Sequence, residues 1–327
     1  MINERKCAIV GCGFVGATIA YTLLQSGMFS EMVLIDVNRD KARGEAEDLS
    51  HCLPFHAPMD IYAGDYKDAA DCAIVIITAG ANQRPGEARL SLVETNTHTV
   101  NSIVSKLLAV GSEAILLVVS NPVDIVTYTA LARSGFPKNR VIGSGTVLDS
   151  ARLKYLAGKH FAVDPRNVHS FIIGEHGDSE LAVFSSANIS GIDLGDFCST
   201  GHTELEAGAC APSAMQGLYE KVKGSAYRII EGKGATYYGI AEATKRIVSA
   251  IVNDEKSIMP VSAYLDGEYG IRDVTIGVPC VVGKDGIENV LEIPLDKNEL
   301  SALRHSANEL SEVLRALSIP SPLLSKR

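Results

Sequence analysis

Cys7-Ala8-Ile9-Val10-Gly11-Cys12-Gly13-Phe14-Val15-Gly16 begins as an apolar strand and runs into three glycines spaced Gly-x-Gly-x-x-Gly. A helical stretch from Val15 to Ser26 follows, and a second apolar strand, Met32 to Ile35, ends on Asp36, 20 residues beyond Gly16. In this setting Gly11 allows the tight turn out of the strand, Gly13 lets a pyrophosphate approach the backbone, and Gly16 lets helix pack closely on sheet. The helix N-terminus offers unpaired N–H groups and a positive dipole end to phosphate. Glycine spacing alone recurs by chance. Joined to strand, helix and a second strand ending in acid, it predicts a dinucleotide site that includes Phe14 and Val15. Asp36 can accept both hydrogen bonds of an adenosine ribose and repels a 2'-phosphate, which selects NAD over NADP. Arg39 either softens that preference or is simply solvated.

The same alternation continues. Ala73 to Thr78 and Ile115 to Val119 are short, nearly continuous apolar runs, as expected of parallel strands covered on both faces. Arg43 to His51 and Leu92 to Val110 carry helical periodicity, and Val141 to Gly143 adds a last strand. Right-handed crossovers turn this series into a doubly wound parallel sheet of the Rossmann type, assigned to residues 1–145. Residues 146–327 change character. Helices are expected over Leu148 to Ala157, from Pro212 through Val222, over Ala235 to Val252 and over Lys297 to Leu317. Strands are expected over Val168 to Ile173, Leu181 to Ile189, Pro260 to Leu265, Val274 to Val282 and Gly286 to Ile293. The second half reads as a mixed α+β domain with a cleft between it and the first.

A chain of 327 residues, 46% apolar and 21% charged, has the make-up of an ordinary globular protein. A net charge of −9 without basic blocks argues against nucleic acid or an anionic membrane as partner. No apolar run reaches the ~20 residues of a membrane span, and the N-terminus lacks a signal-cleavage pattern. The 7 cysteines show no zinc-ligand spacing. Cys7, Cys12 and Cys72 fall in or beside strands, so reduced, inert thiols in a cytoplasmic protein are expected.

Thr78-Ala79-Gly80 ends the third core strand, where cofactor can pass close to the backbone. Ser120-Asn121-Pro122 ends the fourth, where Asn121 either orients a nicotinamide or caps the next helix. The polar segment Asn82 to Arg89 has the composition of a closing lid that carries Arg89 onto substrate. Asp149 and Arg152 share one helix face. They form a local ion pair, or they divide two tasks: Arg152 grips a carboxylate and Asp149 holds a histidine. His176, in Ile173-Gly174-Glu175-His176-Gly177-Asp178, stands at a strand end beside glycine and is the candidate proton-transfer residue. No other histidine has that context.

The runs GCGFVG, LIDVN, TAGANQRPGEARL, VVSNPVD, GSGTVLDSARL, IIGEHGDSE and KGATYYGIA resemble those of bacterial-type L-lactate dehydrogenases, in the lactate/malate dehydrogenase superfamily, over essentially the whole chain. The resemblance implies NAD-dependent hydride transfer between pyruvate and (S)-lactate. It gives His176 the acid/base role with Asp149 as partner, Arg152 the substrate carboxylate, and Arg89 the keto oxygen. Asn121 and Thr236 line the substrate and nicotinamide region, with Ile240 packing on the nicotinamide. Gln83 falls where lactate enzymes carry glutamine and malate enzymes arginine. An arginine there would pair with the second carboxylate of oxaloacetate but would face the methyl of pyruvate unneutralised. Many bacterial members are tetramers activated by fructose 1,6-bisphosphate. Their effector histidine corresponds to His169, and their effector arginine is replaced here by Lys154.

Overall fold

The computed structural model describes residues 2–81, 89–200 and 208–322, with backbone alone at 89 and 90. The first half runs β1 (Asn3–Val10), α1 (Phe14–Ser26), β2 (Glu31–Ile35), α2 (Arg39–Ser50), β3 (Asp60–Ala63), β4 (Cys72–Ile77), α3 (Arg89–Ala109), β5 (Ile115–Val118), α4 (Val123–Ser134) and β6 (Val141–Gly143). The second runs α5 (Val147–His160), β7 (Val168–Ile173), β8 (Leu181–Ile189), β9 (Ile192–Asp193), α6 (Leu194–Phe197), α7 (Pro212–Lys223), α8 (Ser225–Lys233), α9 (Tyr238–Val252), β10 (Ser257–Asp266), β11 (Arg272–Gly283), β12 (Gly286–Val290) and α10 (Lys297–Ala316).

The six strands of the first half form a parallel sheet in the order β6-β5-β4-β1-β2-β3; apolar runs mark five of them in the sequence, and β3 is an addition. Burial on both faces explains the runs: Cys7, Ala8, Ile9, Ile74, Val75, Ile76 and Leu117 have no exposed surface. β10, β11 and β12, read from sequence as part of the second half, continue this same sheet. β10 pairs antiparallel with β6 through Ser262 and Gly143, giving a sheet of nine strands among the described residues. A separate sheet, β7-β8-β9, lies over a second core built on Leu153, Phe161, Ile172, Ile189 and Leu218.

The cysteine expectation needs correction. Cys7, Cys12, Cys72 and Cys280 are buried and free, and burial pushes their thiols up, but Cys198 and Cys210 form a disulfide with Cα atoms 6.2 Å apart. That bond joins the residue after α6 to one just before α7, a proximity that linear spacing does not reveal. Among the described residues, no helix is long and apolar enough to cross a membrane.

Candidate active site

The glycine turn is tight for visible reasons. A Cβ on Gly16 would stand 1.9 Å from the Gly11 carbonyl oxygen, and one on Gly11 would meet the Ala79 nitrogen at 2.5 Å. A Cβ on Gly13 would meet nothing within 4 Å, so that position faces open space. α1 starts directly after it with no side-chain cap, leaving its first turn open to an anion. Thr78 ties the neighbouring strand end to this turn, its hydroxyl donating to the Gly11 carbonyl at 2.6 Å. The Ser120 hydroxyl donates to the Ala79 carbonyl at 2.7 Å, drawing β5 into the same framework. Val15 packs on the core, whereas the exposed Phe14 ring stacks on Tyr237 at 5.6 Å.

Asp36 is fixed by two backbone amides: Cys12 N–H donates to Oδ2 at 2.7 Å and Asn38 N–H to Oδ1 at 2.8 Å. Its carboxylate lines a groove of about 400 Å³ with Val10, Gly11, Ala79 and Tyr66. Arg39 lines that groove too, but its guanidinium is bonded to Asp65 at 2.8 Å. Open space at Gly13, an uncapped helix start and an immobilised ribose-accepting carboxylate fit a dinucleotide without a 2'-phosphate.

Asn121 lies exposed in the loop after β5, and α4 begins without any side-chain cap, so the capping alternative is not realised. Asn96, on α3, was not singled out from sequence, yet it clamps two strand ends. Its Oδ1 accepts from Ala81 N–H at 2.7 Å and its Nδ2 donates to the Asn121 carbonyl at 2.7 Å. Gly80 lies against the same side chain. Gln83 and the rest of 82–88 lie outside the described residues, as does the side chain of Arg89, which opens α3.

His176 follows β7 in a turn anchored from three directions. Gly174 exchanges backbone hydrogen bonds with Gly277 of β11, Ser306 of α10 accepts from Glu175 N–H at 2.8 Å, and Asp124 of α4 accepts from His176 N–H at 2.8 Å. α5 is bound to β7 by hydroxyls: Thr146 donates to the Ile172 carbonyl at 2.6 Å and Ser150 accepts from Ile172 N–H at 2.8 Å. This registers Asp149 against the turn, and its Oδ2 lies 2.6 Å from His176 Nδ1. Oδ1 accepts from Arg152 at 2.7 Å, so the helix ion pair forms and the same carboxylate also holds the histidine. The two alternatives drawn from sequence coexist.

Asp149 is 2% exposed, and the His176 side chain keeps 27% exposure toward a cleft of about 360 Å³ that Arg152 and Tyr227 also line. The Asp149 carboxylate drives the imidazole pKa up to about 9 against the opposing pull of burial. Burial works to raise Asp149 itself, but the imidazole and guanidinium beside it outweigh that and hold it below the usual carboxylate range. Asp124, also missed from sequence, is buried and pushed up to about 6 by desolvation, with the Ser262 hydroxyl and His176 N–H opposing. Thr236 lies half-buried in the loop between α8 and α9, and Ile240 packs on the main core. Lys154 is half-buried on α5, its pKa lowered by desolvation, while His169 is exposed on β7 opposite Asn188.

Comparison with known proteins agrees with this architecture. Residues 5–143 match the family model for the lactate/malate dehydrogenase NAD binding domain, and residues 146–317 match that for the alpha/beta C-terminal domain. The chain belongs to the lactate/malate dehydrogenase family. It is 52% identical over 315 residues to an L-lactate dehydrogenase of Acetivibrio thermocellus, covering 96% of this chain and 98% of that one. Among solved structures, a lactate dehydrogenase from a Medee basin deep-sea metagenome library superposes with a TM-score of 0.92 at 43% identity, covering 97% of this chain and 100% of the other. A minor L-lactate dehydrogenase from Enterococcus mundtii gives 0.90 at 43% identity, covering 95% and 98%.

Proposed function

We propose that this protein is an NAD-dependent L-lactate dehydrogenase that interconverts pyruvate and (S)-lactate. The observation that carries the reading is the 2.6 Å contact of Asp149 with His176 Nδ1, beside Arg152, in a chain whose first half is an NAD-binding domain. When bound, NADH supplies the hydride that reduces the keto carbon. Asp149 accepts a hydrogen bond from Nδ1–H, which leaves Nε2–H of the imidazolium as the proton donor to the developing alkoxide. Arg152 spends one N–H on Asp149 and has the rest of its donor fork for the substrate carboxylate. Asn121 and Thr236 border the substrate, Ile240 packs against the nicotinamide, and Arg89 polarises the keto oxygen. Gln83 favours a methyl over a second carboxylate. The dinucleotide groups are Gly11, Gly13, Phe14, Val15, Gly16, Asp36, Thr78, Ala79, Gly80 and Ser120, in a domain ending at 145.

His176→Asn tests the assignment. Pyruvate-dependent NADH oxidation falls by about 10²-fold or more while NADH binding, followed by fluorescence, is retained. Near-normal turnover overturns it.

The reading extends to a homotetramer activated by fructose 1,6-bisphosphate through His169 and Lys154. The lysine keeps the charge and loses the bidentate fork, so the activation is weak. Initial rates with and without the bisphosphate, and the sedimentation coefficient, check both statements. A cytoplasmic site of action suits the buried free thiols, and the Cys198–Cys210 disulfide is the observation that opposes it.

A further inference from the structure

Glu180 has no task in the chemistry above, yet it lies within reach of it. It immediately precedes β8 and is 7% exposed. One of its carboxyl oxygens, a carboxylate oxygen of Asp149 and a ring nitrogen of His176 all lie within 4.8 Å of one another. Among the described residues, Oε1 is fully buried and has no hydrogen-bond partner. Leaving a carboxyl oxygen so placed is costly. Its backbone is pinned, with the Tyr219 hydroxyl donating to the Glu180 carbonyl, so the side chain cannot easily withdraw. Lys223 of α7, whose charge also reaches Glu180, donates to the Asp178 carbonyl at 2.9 Å.

We infer that Glu180 is a positioning residue for His176, a second carboxyl that holds the proton on the imidazole as solution pH rises. The inference rests on the acid/base role proposed above. The groups facing Glu180 are Asp149 and Arg152 from α5, Tyr219 and Lys223 from α7, and His176, Glu175 and Asp178 from the turn; Glu220 borders the same cleft, and His305 and Glu309 of α10 line the space on its other side. Burial, reinforced by the Asp149 charge, pushes the Glu180 carboxyl up to about 8, while His176, Arg152 and Lys223 oppose. His176 sits at about 9. A carboxyl this close to the ring places a negative charge beside it on ionising, and that charge strengthens the hold of the imidazole on its proton. The pair extends the range over which a protonated histidine is present.

Titration of the His176 ring resonances in ¹³C-histidine-labelled protein tests this, with His176→Asn used for assignment. In Glu180→Gln the midpoint falls by at least about half a pH unit, the effect of removing one charge about 5 Å away even at the dielectric constant of water. Glu180→Asp, which keeps the charge, restores most of the shift. The alkaline limb of kcat/KM for pyruvate moves by the same amount, with the Kd for NADH unchanged. An unshifted His176 midpoint in Glu180→Gln overturns the inference. Absence of pyruvate turnover in the unsubstituted protein overturns the activity reading instead, and the resonance titration still decides the role of Glu180.

Discussion

The carboxylate of Asp124 accepts the backbone N–H of His176 at 2.8 Å, across 52 residues of sequence and from one half of the chain to the other. Its other oxygen accepts the Ser262 hydroxyl at 2.6 Å, and its own carbonyl accepts the Thr275 hydroxyl at 2.6 Å. One buried acid at the start of α4 thus joins the helix between β5 and β6, two antiparallel strands and the histidine turn. It orders the backbone of His176, whereas Asp149 orders the ring.

Replacing Asp124 with alanine leaves a buried amide and a buried hydroxyl unpaired. A loss of about 2–5 kcal/mol is expected from two such groups, with lower kcat from a loosened turn. Chemical denaturation with parallel kinetics measures both. Asp124→Asn keeps an acceptor for the amide and loses less.

Asp149→Asn removes the charge that lifts His176 from its ordinary 6.5 to about 9. A histidine whose folded pKa is raised is stabilising in full below its ordinary value, and that stabilisation is lost as pH rises through about 9. Without Asp149 the imidazole loses the largest charge that lifts it and its midpoint falls toward the ordinary value, so pyruvate reduction at pH 8 falls by up to about 30-fold from protonation alone. The pH profile of kcat/KM for pyruvate reports this. An alkaline limb that stays near 9 excludes Asp149 as the cause.

Gln83→Arg places a cation where substrate discrimination is assigned. The ratio of kcat/KM for oxaloacetate over pyruvate is expected to rise by about 100-fold, the worth of one well-formed charged pair. Paired initial-rate measurements on the two acids decide it, and an unmoved ratio means that another position discriminates.

Alkylation in denaturant without reductant is expected to label 5 cysteines, and 7 after reduction, since only Cys198 and Cys210 are joined. Intact-mass spectrometry counts the adducts. Seven adducts without reductant would show that the bond does not form in the isolated protein.

Much of the fold was legible because its signal is local. The strands 141–143, 168–173 and 181–189 were read with the bounds they have, each being a compact apolar segment beside glycine or polar residues. β3 escaped because only one of its four residues, Ile61, is buried, so it carries no alternation. α8 has no buried residue at all and gives no core face to find. Asp124 escaped for another reason: an acid in the first turn of a helix looks like a match to the helix dipole, and its real partners lie 52 and 138 residues away. Asn96 and the Cys198–Cys210 pair are tertiary facts of the same kind. Glycine motifs and the neighbourhood of His176 announce themselves. The groups that aim them do not.

Gly143 and Ser262 are the seam where a parallel sheet becomes antiparallel. Cutting the chain after 145 would strip β6 of its outer neighbour and leave its N–H and C=O groups open along an edge that is buried in the whole protein. The excised half should therefore self-associate through that raw border instead of persisting as a free nucleotide binder. What looks in sequence like two modules laid end to end is, in its hydrogen bonding, a single fabric that must be woven whole.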